Sequence, residues 1–93
     1  MNTLEKARKE IDEADAELVK LFVKRFLAVR DVIGWKMENG MAVQDRSREE
    51  EILRKNSERL EQEELRPYFE DWYRKMLEIS RRYQEDIRRS ADK

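Results

Sequence analysis

Residues 18–36 read LVKLFVKRFLAVRDVIGWK, and the fold turns on how this stretch is read. Leu18, Leu21, Phe22, Val29 and Val32 recur at steps of three and four, the spacing of one face of an α-helix. The same period extends back through Ala14, Ile11, Ala7 and Leu4, and no proline interrupts it before Met37. It predicts one helix over residues 3–38, with Asn2 or Thr3 as N-cap and Glu5 in the first turn. The run Glu38-Asn39-Gly40 ends it, because Asn and Gly readily take the left-handed conformation of a helix C-terminus.

The following segment, MAVQDRSREEEILRKNSERL, opens a second, shorter helix. Asp45 or Ser47 can cap it, and Glu49-Glu50-Glu51 suits the positive end of its dipole. Ile52, Leu53, Asn56 and Leu60 form its inner face. A polar break, Glu61-Gln62-Glu63-Glu64, precedes Pro67, which is tolerated in the first turn of a third helix. Leu65, Phe69, Trp72, Met76, Ile79, Tyr83 and Ile87 share one face of that helix. The expected fold is all-α, long helix, short helix, long helix, with residues 1–93 as one domain.

Composition agrees. Of 93 residues, 46% are charged and 39% hydrophobic, with two glycines and one proline, a mixture for helices with wet outer faces. The formal charge is −1, so no general attraction to nucleic acid or an anionic membrane surface is expected. Cysteine and histidine are absent, which excludes disulfides, thiolate catalysis, imidazole acid–base chemistry and structural zinc. The N-terminal residues are too charged for a signal peptide and no apolar run approaches a membrane span, so a cytosolic address is expected.

Length bears on assembly. A helix of about 35 residues is roughly 52 Å long, whereas a compact globule of this size is roughly 30 Å across. The first helix must protrude with its apolar stripe bare, and an antiparallel, intertwined homodimer covers both ends at once.

Arg25 lies on that stripe, three residues after Phe22 and four before Val29. It is not alone: Arg8, Ile11, Asp15, Leu18, Phe22, Arg25, Val29, Val32 and Lys36 form one progression. A single such cation is ordinarily explained by a long stem reaching from the stripe's edge into water. Three in register point to an anionic ligand. Arg25 and Lys36 are roughly 16 Å apart along the axis and can close on a small anion, whereas Arg8, about 25 Å from Arg25, must come from the partner chain. Asp45, Arg48 and Glu49 in DRSRE add a carboxylate-binding cation and acceptors for a ligand hydroxyl, although capping alone accounts for acids at a helix start. Ser80 and Gln84 form an i,i+4 polar pair on the third helix, where a solvated flank is the simpler account. Together these groups imply a small ligand with more than one carboxylate and at least one hydroxyl. With no strong nucleophile or proton shuttle beside them, the chemistry favoured is charge stabilisation and conformational restriction.

The pattern R…ID.aD.eLv.L…R…V…K followed by D..RE, with Ser80 and Gln84 in the third helix, resembles the all-helical (AroQ-type) chorismate mutases over nearly the whole chain. That family rearranges chorismate to prephenate, on the way to phenylalanine and tyrosine, with no cofactor and no metal. The resemblance implies that Arg25 and the partner subunit's Arg8 bind carboxylates, with Arg48 and Ser80 as further contacts. It implies that Lys36 and Gln84 donate to the ether oxygen, and that Asp45 and Glu49 lie near the ring hydroxyl. Ala42 departs from the family, which often has proline before the position of Val43. A shift of one residue in the third helix would put Arg81 and Glu85 in place of Ser80 and Gln84. Ser80 and Gln84 fit the chemistry better, and Arg81 is expected to face the apolar stripe. Glu85 would have to be protonated to donate, making activity fall as pH rises.

Two other readings remain. An isochorismate pyruvate-lyase of the same fold would share the arginines and the lysine, but its loop usually lacks a set like DRSRE. A non-catalytic helical dimerisation module would have its cations salt-bridged to Asp12, Asp15 or Glu17.

Overall fold

The computed structural model describes residues 2–92. Met1 and Lys93, the ends of the expected domain, lie outside the described residues. The chain forms α1 (Thr3–Glu38), α2 (Arg46–Arg59), one turn of 3-10 helix (Glu63–Leu65) and α3 (Arg66–Ala91), with no strand among the described residues.

The helix ends follow local chemistry. Asn2 caps α1 by accepting the Glu5 N–H at 2.8 Å, and Thr3 is already helical. At the other end Gly40 has φ 64°, the Gly40 N–H reaches the Met37 carbonyl, and the Met41 N–H donates to the Lys36 carbonyl at 2.8 Å. This is a Schellman closure, which a left-handed glycine makes without steric cost. Asp45, not Ser47, caps α2, accepting the Arg48 N–H at 3.0 Å. Pro67 sits in the first turn of α3.

Arg66 ties α2 to α3. Its guanidinium donates to the Ser57 hydroxyl and the Leu60 carbonyl, both at 2.9 Å, and to the Ser57 carbonyl. The Ser57 carbonyl also accepts the Leu60 N–H at 3.2 Å, so Arg66 adds a side-chain donor where the end of α2 runs out of helical ones. Ser57 donates in turn to Glu70 at 2.9 Å.

α3 packs against both α1 and α2. The chain nonetheless measures 55 × 26 × 15 Å with a radius of gyration of 16.7 Å, against about 12 Å for a compact globule of this length. Residues 2–24 are exposed throughout, and Leu4, Ile11, Leu18, Leu21 and Phe22 are each about half exposed. Among the described residues, the buried apolar ones are Ile33, Val43 and Leu77.

Two expectations about faces need correcting. On α1, packing within the chain centres on Phe26, Ile33 and Met37, one face round from the stripe; Arg25, Val29 and Lys36 sit at its border. Leu65, expected on the third helix, ends the 3-10 turn before α3 and is exposed, as is Trp72 on α3, while Leu77, Ser80 and Gln84 are the buried positions of α3.

Candidate active site

Between the three helices lies an open-sided cavity of about 330 Å³, the lower end of the range for small-molecule sites. α1 contributes Arg25, Ala28, Val29, Val32 and Lys36; the loop and α2 contribute Val43, Asp45, Arg48, Glu49 and Ile52; α3 contributes Leu77, Ser80, Arg81 and Gln84. Among the residues singled out from the sequence, Arg25, Lys36, Asp45, Arg48, Glu49, Ser80 and Gln84 all line this one space. Arg8 does not. It lies on the exposed outer half of α1, too far along the helix to reach the cavity of its own chain.

Arg25 meets a neutral partner. Its guanidinium carbon lies 5.9 Å from the Tyr73 ring centroid, and Nη2 donates to the Tyr73 hydroxyl at 3.5 Å. That hydroxyl also accepts from Asn56 Nδ2 at 3.0 Å, so one residue from each of the other two helices fixes the arginine's position. The cation–π contact is worth about 0.5–1 kcal/mol at such a site and leaves the charge uncompensated. Lys36 Nζ donates to the Val43 carbonyl at 2.7 Å, one of the three bonds an ammonium can make. Among the described residues, neither Arg25 nor Lys36 forms a salt bridge with a carboxylate. Within the chain, neither cation is paired with Asp12, Asp15 or Glu17.

The polar groups opposite are arranged differently. Asp45 spends Oδ1 on the α2 cap, which leaves its second oxygen for another donor. Arg48 lines the cavity but leans along α2 to Glu51 at 3.1 Å. Ser80 and Gln84 are buried at 5% and 7% exposure. Gln84 Nε2 reaches the Ser80 carbonyl at 3.4 Å, and Gln84 Oε1 is buried with no partner among the described residues. A half-turn of the amide exchanges its donor and acceptor ends, so Gln84 can offer either to a ligand. Leaving such an atom unpaired costs about 1–3 kcal/mol, which favours a ligand that takes the bond.

Arg81 was expected to face the apolar stripe. Instead it lines the cavity and forms an ion pair with Glu49. The helical period contains the signal: residues 77, 80, 81 and 84 share one face of α3, on which Ser80 borders the Phe69–Met76–Tyr83 stripe and Arg81 faces away from it. Glu85 is exposed and outside the cavity, so the register with Ser80 and Gln84 inward is the one adopted. Asn56, placed on the inner face of the second helix from its spacing, and Tyr73, which the sequence did not single out, carry the support of Arg25.

Among the described residues, no helix is long and apolar enough to cross a membrane and no cluster of acidic side chains could hold a metal. The sequence model of the family described as chorismate mutase type II matches residues 7–85. No curated protein and no solved structure matches. The family match covers most of the chain, and the chain belongs to that family.

Proposed function

We propose that this member of the chorismate mutase type II family rearranges chorismate to prephenate, supplying phenylalanine and tyrosine synthesis. The reaction breaks the ether C–O bond as a C–C bond forms between the enolpyruvyl methylene and the ring. No proton moves and no nucleophile is needed, which suits a chain without cysteine or histidine. What the reaction needs is a compact substrate conformer and donors aimed at the ether oxygen, where negative charge grows. A millionfold acceleration takes about 8 kcal/mol off the barrier, shared between those two effects.

The observation that carries this reading is the meeting of Arg25 and Lys36, neither paired with an acid among the described residues, with Ser80, Gln84, Asp45 and Glu49 around one small cavity. In this reading Arg25 and Arg48 bind carboxylates, with Ser80 as a further contact. Lys36 and Gln84 donate to the ether oxygen, and Asp45 and Glu49 accept from the ring hydroxyl. Arg8 completes the site from a second subunit. The thin core, the 55 Å length and the bare stripe from Leu4 to Phe22 support an antiparallel homodimer. If the partner subunit's Arg8 lies level with Arg25, the two copies of α1 cross at the level of Ala16 and Glu17, and two symmetric sites follow.

Ultraviolet monitoring of chorismate disappearance, with prephenate identified as product, tests the proposal. A parallel incubation with isochorismate, followed for salicylate and pyruvate, separates the lyase. Turnover of isochorismate without turnover of chorismate would refute it, as would no turnover of either.

A further inference from the structure

The four cations that line the cavity are not equally available. Arg25 rests on the neutral Tyr73 and Lys36 on the Val43 carbonyl, so a dianionic ligand takes either one without breaking an ion pair. Arg48 pairs with Glu51 in an exposed i,i+3 contact of the kind worth little in water. Arg81 differs. Its partner is Glu49, on another helix, and the two side chains are only 27% and 20% exposed. Breaking that pair would leave a half-buried carboxylate uncompensated beside the ligand, which makes Arg81 the cation least free to bind the ligand itself.

We infer that Arg81 is a positioning residue that acts through Glu49. It holds the Glu49 carboxylate at the α2–α3 side of the cavity and neutralises it, so that a substrate carrying two carboxylates can enter beside an acid. Glu49 then presents its remaining lone pairs to the ring hydroxyl. This inference rests on the mutase reading above and deepens it. It explains why a carboxylate can stand in an anion-binding site without weakening it: the Arg81–Glu49 pair is neutral as a unit, leaving Arg25 and Lys36 to set the field felt by the substrate.

The test is a double-mutant cycle in chorismate turnover, with Arg81→Met, Glu49→Gln and the double variant, alongside Arg81→Lys and thermal unfolding of each. Arg81→Met should lower kcat/KM about tenfold, chiefly through KM, because the freed Glu49 repels the dianion. Arg81→Lys should recover most of that loss. In the Glu49→Gln background, Arg81→Met should change kcat/KM by less than about threefold, the signature of coupled rather than independent residues. A full additional tenfold loss in that background would overturn the inference by showing that Arg81 acts on the ligand directly. Arg81→Met that lowers the unfolding temperature with kcat/KM unchanged would overturn it in favour of a helix tie. Absence of chorismate turnover by the unmodified chain would instead defeat the mutase reading and the inference together, which separates that failure from the other two.

Discussion

Replacing Arg25 by alanine isolates the charge that first looks misplaced in the sequence. The guanidinium is half-buried, leans on Tyr73, and has no carboxylate partner among the described residues. A substrate carboxylate about 4 Å away would gain about 4 kcal/mol at an effective dielectric of about 20, equivalent to roughly a thousandfold in affinity or rate. Stability moves far less. The variant loses a cation–π contact of about 0.5–1 kcal/mol but is relieved of holding an unpaired charge out of water. Those effects oppose each other, so the unfolding temperature should stay within about 5 °C of the unmodified chain. The measurement is kcat/KM for chorismate by ultraviolet absorbance, with circular dichroism and light scattering on the same samples. A drop of roughly a thousandfold with helicity and assembly retained is expected. A rate within about threefold of the unmodified chain would mean that no carboxylate meets Arg25, and the reasoning from its placement fails.

Lys36→Ala should lower kcat by about a hundredfold to a thousandfold with a smaller effect on substrate binding, since its contact strengthens as charge develops on the ether oxygen; steady-state kinetics with a binding measurement separates the two. Mixing Arg8→Ala chains with Arg25→Ala chains should restore about a quarter of unmodified activity, because half of the random dimers hold one site with both arginines intact. If unfolding and reassociation of the two inactive variants restores nothing, the shared site is excluded. Glu63, paired with Arg66 at 2.5 Å, has its carboxyl held below the ordinary value of 4.5 by the arginine's hydrogen bond and charge. A lowered folded-state value adds stability above pH 4.5 that disappears as pH falls through the folded-state value. Glu63→Gln should therefore be slightly less stable than the unmodified chain near neutral pH and equal to it in strong acid, as measured by urea unfolding.

The sequence by itself determined the elements. Apolar spacing set the bounds of α1, Gly40 set its end, Asp45 could start α2, and Pro67 could stand only at the opening of α3. Those features act between residues three or four apart, so they are legible one window at a time. The same periodicity placed Arg25 and Lys36 on one side of α1, and Ser80 with Gln84 on one side of α3. The tertiary structure decided what faces what. The helical period turns Arg81 away from the Phe69–Met76–Tyr83 stripe, but only the rotation of α3 against α2 brings it to Glu49, thirty-two positions away. Asn56, Tyr73 and Arg25 meet for the same reason, each from a different helix. A helical period fixes the angle between two residues around their own axis, but not the angle at which that axis is turned toward its neighbours. That second angle comes from side-chain packing at the crossing, which no stretch of local sequence contains.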